Sequence, residues 1–165
     1  LELGRSCVHK DYRTRPVLEL LWQGIAEYVM YHDIRYLFGC PSFMGTTDPD
    51  SIANELSYLY HYHLAPEEIR AKSLDAVYVD MNRMPKDQVD VKKALANLPA
   101  LIKSYLRIGV MVGDGAFVDH QFNSVDVFVA FDMGMLTEKY RKHYERAVSG
   151  EFTQGRTDVT KTLVS

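Results

Sequence analysis

Hydrophobic positions along the chain change their spacing several times, and each change marks an element. Over residues 1–8 the side chains alternate, with Leu1, Leu3 and Cys7 on one side and Glu2, Ser6 and Val8 on the other, as in a strand. Residues 9–15 form a charged loop. Pro16 suits the first turn of a helix, where its missing N–H costs nothing. Leu18, Leu21, Trp22, Ile25 and Val29 then recur at helical spacing and predict a helix to residue 32. Residues 35–40 read as a second buried strand, which Pro41 ends before a loop over 42–47. Asp48 ahead of Pro49 starts a helix whose apolar stripe is Ile52, Leu56, Leu59 and Tyr60, running to His63.

Further on, residues 75–83 hold a short strand pattern, and 87–95 and 99–107 read as two short helices divided at Leu98-Pro99, with Gly109 as a stop. There the period returns to that of a strand. Residues 110–112 and 116–118 flank Gly113-Asp114-Gly115, read as a hairpin turn, and 124–132 is the strongest strand in the chain. A charged helix is expected over 137–148, so that residues 1–148 form one domain and 149–165 a frayed tail. Helices mixed with strands in this order predict an α+β or α/β domain with a mixed sheet.

Composition narrows the function classes. With 47% hydrophobic and 25% charged residues the chain is an ordinary globular folder, which excludes disordered, collagen-like and coiled-coil classes. A net charge of -3 lacks the basic surplus that neutralises phosphates, so no nucleic-acid partner is expected. Cys7 and Cys40 are not spaced as a zinc site or disulfide scaffold, and both are expected as reduced, buried thiols. No apolar run approaches the ~18 residues of a membrane span, so a cytoplasmic chain, able to touch the inner face of a membrane peripherally, is expected. The chain opens on Leu1 inside strand-like sequence, and its fold is expected to include strands that precede this segment.

The run from Leu1 to His9 and Tyr12-Arg13-Thr14-Arg15-Pro16 resembles the central strand, loop and helix of the ornithine lipid synthase type N-acyltransferases, also labelled hemolysin-like. Three further blocks follow in the same order: Leu37-Phe38-Gly39-Cys40-Pro41-Ser42-Phe43, Leu98 through Arg107, and Val118 through Asp126. Ordered blocks over residues 1–145 are far more specific than one short motif. The resemblance implies a GCN5-related N-acetyltransferase-like fold, a mixed sheet flanked by helices, related also to the autoinducer synthases with their Glu-x-x-Arg, here Glu2 and Arg5. It implies transfer of a 3-hydroxyacyl chain from acyl carrier protein to the amine of ornithine or a related amino acid, with acyl-phosphopantetheine as donor and no tightly bound cofactor. In acetyltransferases small residues after this strand let backbone N–H groups hold the coenzyme A pyrophosphate. Here Pro16 and Leu18 stand in their place, which favours a carrier-protein donor, met by His9, Lys10, Arg13 and Arg15.

Amide formation from a thioester needs a neutral amine, a polarised carbonyl and a protonated leaving thiol. Glu2 is the candidate base, and Arg5 orients it or binds a substrate carboxylate; the plain alternative is an exposed Glu paired with a structural Arg. Cys7 and Val8 continue the strand and are expected to line the substrate cleft with Arg13 and Arg15. Asp119, His120, Asn123 and Asp126 form a polar island in apolar strand sequence, expected either as cleft residues or as groups closing a turn. His61 and His63 lie on different helical faces, so no metal is expected there, and Tyr58, Tyr60 and Tyr62 read as packing residues. The basic helix over 137–148 is a solvated face or a surface for lipid or carrier protein. With strands absent from this segment, the chain by itself is expected to be inactive, with dimerisation through sheet edges as a repair. The alternative function is a non-catalytic, hemolysin-like module docking carrier protein or membrane.

Overall fold

The structure, a computed structural model, describes residues 1–4, 7–13 and 15–135, without the side chains of Arg15, Pro16, Leu18 and Glu19. The helix expected over 137–148 and the tail lie outside the described residues. The chain divides into two compact units: Leu1–Gly4 with Tyr36–Met135, and, among the described residues, the stretch from 7 to 35.

The first unit is built on strands β1 (Tyr36–Gly39), β2 (Ser42–Met44), β3 (Met111–Asp119) and β4 (Ser124–Asp132). The central strand β4 pairs antiparallel with β1 and β2 along one side and with β3 along the other. Six residues separate Tyr36 from Ser42, and six also separate their partners Asp132 and Asp126, so β1 and β2 share one register against β4. Pro41, expected to end the strand, only interrupts it: it has no N–H to give, but its carbonyl accepts from Val127 N–H at 3.1 Å. The expected loop over 42–47 therefore opens with three more strand residues.

Residues 1–3 lie parallel to β1, through a bridge between Glu2 and Phe38 and hydrogen bonds from Leu3 N to Phe38 O at 2.7 Å and from Phe38 N to Leu1 O at 3.0 Å. A Cβ built on Gly39 would stand 3.0 Å from the Leu3 carbonyl oxygen, so a side chain there would wedge the two segments apart. Among the described residues the strand expected over 1–8 is thus paired at its start; the four named strands pair antiparallel, so the expected mixed sheet is met only by isolated parallel bridges, and helices beside an antiparallel sheet fit the α+β reading.

Paired residues share a face of a sheet; exposure alternates along β1, whereas in β4 both faces are largely buried, with Asp126 and Phe128 half-buried. Leu37, Phe43, Val125, Val127, Val129 and Phe131 point into the core, where they meet the layer made by α2 (Ala53–His63), α3 (Val91–Asn97) and α4 (Ala100–Arg107). Leu56, Leu59, Ile102 and Met81 are fully buried there, each contributing about 1.5–3 kcal/mol by leaving water. Asp48 caps the 3-10 turn Pro49–Ile52 by accepting from Asp50 N–H, and α2 follows it. Asp90 caps α3 through Lys93 N–H, which starts that helix four residues later than its expected beginning at 87.

Two expectations about the middle of the chain fail for one reason. Residues 64–79 run along the free edge of β3, bridging Leu64 to Val112, Lys72 to Asp114 and Val79 to Ala116. Hence the expected strand over 75–83 reduces to a 3-10 turn, Asp75–Val77, and a single bridge at Val79. Gly113-Asp114-Gly115 is a bulge inside β3, where the register shifts, and not a hairpin turn. Glycine is needed because a Cβ at Gly113 would sit 2.6 Å from the Ala71 carbonyl, and one at Gly115 (φ +82°) 2.3 Å from the Tyr78 ring. That ring's hydroxyl donates to Asp114 Oδ1 at 2.8 Å; burial and this bond push it up to about 12.

In the second unit, His9 caps a 3-10 turn over Lys10–Tyr12, and helix α1 spans Arg15–Tyr31 as the apolar spacing predicts. Asp33, at φ 49°, turns the chain out of it.

Candidate functional site

The face of the sheet turned away from the core carries Tyr36, Phe38, Cys40, Ser42 and Met44 on one edge of β4, and Ser124, Asp126, Phe128, Ala130 and Asp132 along it. Glu2 joins this face through its pairing with Phe38. Extending the shared register puts Cys40 across from Phe128, diagonal to Asp126 on one side and to Glu2 on the other. Phe38 and Phe128 stack beside it, with ring centres 6.0 Å apart.

The electrostatics agree with this placement. The Cys40 thiol is raised above its ordinary value, first by the protein packed around it, then by the negative charge of Asp126 and then by that of Glu2. Two carboxylates from separate strands therefore act on one point of the sheet. Asp126 is held by Ser124, whose hydroxyl donates to its Oδ1 at 2.8 Å, leaving the second oxygen to meet a ligand. The Glu2 carboxylate folds over Gly4, where a Cβ would fall 2.9 Å from its Oε1; an exposed acid on such a backbone is able to swing toward a bound group.

Two carboxylates near a stacked aromatic pair suit a cationic group carried on an apolar chain, and one of them can take its proton. Because the thiol stays protonated to higher pH than an ordinary cysteine, Cys40 is a poor nucleophile. Iodoacetamide is expected to modify Cys40 several-fold more slowly at pH 8.5 in the folded chain than after denaturation. Asp126→Asn should recover part of that rate, the share due to its charge, as mass spectrometry of the Cys40 peptide would show; an equal rate in folded and unfolded chain contradicts the placement.

The remaining sequence-derived candidates part company with this cluster. Asp119 closes the turn between β3 and β4 by accepting from Gln121 N–H at 2.8 Å and Phe122 N–H at 3.0 Å. Asn123 sits in the same turn at φ 52°, and His120 is exposed in it. Arg13 donates from Nε to the Val8 carbonyl at 3.0 Å, which fixes its side chain within the His9–Arg13 loop of the second unit. Cys7 and Val8 lie in that unit outside any strand, Arg5 lies outside the described residues, and so does the Arg15 side chain. Both cysteines are exposed, correcting the expectation of buried thiols: Cys7 has left the strand, and Cys40 faces away from the core. Cys40 itself escaped the sequence reading because only the register of β1 against β4 brings it to the two acids. His61 and His63 take structural partners, the Met84 carbonyl and the Tyr58 hydroxyl, each at 2.9 Å, while Tyr58 stacks on Tyr62.

Comparison with known proteins defines the class first. The acetyltransferase (GNAT) domain family matches residues 1–23, the segment that supplies Glu2, and the helices with an antiparallel sheet make an α+β fold consistent with that match. No solved structure matches the chain. Among curated proteins it is 45% identical over 150 residues to the L-ornithine N(alpha)-acyltransferase of Rhodobacter capsulatus, covering 91% of this chain and 57% of that protein. It is 43% identical over 153 residues to that of Rhizobium meliloti, covering 93% and 51%, and 42% identical over 144 residues to that of Brucella abortus, covering 87% and 51%. Over most of its length this chain is similar to the L-ornithine N(alpha)-acyltransferases. It spans about half the length of the curated relatives it matches.

Proposed function

We propose that this chain carries the proton-transfer side of an N-acyltransferase that moves a 3-hydroxyacyl group from acyl carrier protein to the α-amine of ornithine or a related amino acid, in membrane lipid biosynthesis. The observation that carries this reading is the pair of carboxylates, Glu2 and Asp126, that the strand register sets either side of Cys40, in a chain whose relatives are ornithine N(alpha)-acyltransferases.

The chemistry runs as follows. An amino acid arrives with its α-amine protonated, and an ammonium cannot attack a thioester. Glu2 takes the proton; the freed nitrogen lone pair forms the C–N bond at the thioester carbonyl carbon, and collapse of the adduct breaks the C–S bond. The departing thiolate takes the extra proton that the adduct nitrogen gives up and leaves as phosphopantetheine thiol, while Glu2 returns its proton to solvent, so the products are amide, thiol and one released proton. Asp126, tied to Ser124, holds the second, side-chain ammonium of a diamino acid by charge. The substitution of Pro16 and Leu18 for small residues disfavours free coenzyme A, and His9, Lys10 and Arg13 suit an acidic carrier protein. A carrier-protein donor sets the reaction in the cytoplasm.

The test is a chimera in which this chain replaces the aligned 150 residues of the Rhodobacter capsulatus relative, expressed in a strain lacking that enzyme. Mass spectrometry of the lipid extract is expected to show ornithine acylated on its α-amine. A stably expressed chimera that makes none rejects the reading.

A further inference from the structure

We propose that helices α3 and α4 form a docking surface for an anionic lipid bilayer. The two helices and their flanks, residues 91–110, contain Lys92, Lys93, Lys103 and Arg107 and no Asp or Glu, in a chain whose net charge is -3. Lys92, Lys93 and Arg107 are exposed, and Lys103 reaches across to donate from Nζ to the Ala96 carbonyl at 3.0 Å, tying the helices into one surface. Ala94, Leu98 and Ile102 anchor the opposite side in the core, so the surface is rigidly presented. Asp90 stands at the edge, its carboxylate engaged as the α3 cap.

Charge alone would serve any acidic partner; the leucines decide for lipid. Leu95 and Leu101 remain 43% and 44% exposed on the same two helices. Interfacial helices have this composition, with aliphatic side chains entering the acyl boundary while long cationic stems lie over apolar surface and keep their charges at the headgroups. Protein interfaces, by contrast, are depleted in lysine, which supplies three of the four cations here. Among the described residues no helix is long and apolar enough to cross a membrane, so any contact through these helices lies on the surface.

The test is cosedimentation of the chain with vesicles. Binding is expected to phosphatidylglycerol–phosphatidylcholine vesicles, to fall sharply on adding salt, and to be weak on pure phosphatidylcholine. Each basic residue near an anionic surface strengthens partitioning about fivefold, so Lys92→Glu with Lys93→Glu should weaken it by at least about twentyfold. Among the described residues neither of these side chains makes a hydrogen bond or ion pair, unlike Lys103, so the double reversal spares the fold, and unchanged thermal melting confirms it. Leu95→Ser with Leu101→Ser should weaken binding with the salt dependence retained, and Lys86→Glu, outside the surface, should leave binding nearly unchanged. Equal binding to both vesicle types, or indifference to the double reversal, overturns the proposal. So does binding of the same residues to purified acyl carrier protein with no binding to vesicles, which would assign the surface to an acidic protein. Vesicle binding needs no turnover, so an inactive chimera leaves this inference standing, and failed binding leaves the acyl-transfer reading untouched.

Discussion

Glu2→Gln, made in the chimera, is expected to lower the yield of acylated ornithine by about a hundredfold or more while leaving thermal stability unchanged, because the substitution keeps size and hydrogen bonding but removes the base. Glu2 is exposed, so the fold has little invested in its charge. The same variant removes one of the two negative charges that raise Cys40, so Cys40 should alkylate faster than in the parent. That second reading separates two failures. Full turnover in the glutamine variant excludes Glu2 as the base; unchanged Cys40 reactivity would mean that Glu2 is not beside the thiol at all.

Ser57→Ala is expected to cost about 1–3 kcal/mol of stability, a large effect for the loss of one oxygen. Ser57 is fully buried in α2, and its hydroxyl donates to the Met81 carbonyl at 3.3 Å while accepting from Arg83 N–H at 3.1 Å and Met84 N–H at 2.9 Å. Alanine fits the space but leaves the Met84 N–H without its partner, while the Arg83 N–H and the Met81 carbonyl keep only the bond they make to each other at 3.0 Å. Denaturant melts of the two chains would measure the difference, and a loss under about 0.5 kcal/mol would show that water or a rearranged loop reaches those groups.

Ser57 also shows what the sequence conceals. In an apolar helical pattern it reads as a tolerated polar residue, since nothing local reveals that a loop 24 residues away hangs on it. The Gly113-Asp114-Gly115 run is similar: positive φ and a missing Cβ serve a hairpin turn and a bulge equally, and only the segment 64–79 lying against β3 selects the bulge. The cysteines were misjudged because an apolar neighbourhood in sequence does not say which face of a strand a residue takes once a register is set.

Periodicity, capping residues and family blocks were enough to find α1, β1, the strong strand β4, the start at Asp48 and the breaker at Leu98-Pro99, because these depend on residues within one turn or strand. They were enough, too, to single out Glu2 and Asp126 one at a time. Their meeting around Cys40 was decided by the tertiary structure alone. Residues 2, 40 and 126 are brought together by hydrogen-bond register between distant segments, and register is set by which side chains the helical layer can bury, a condition the whole sheet must satisfy at once.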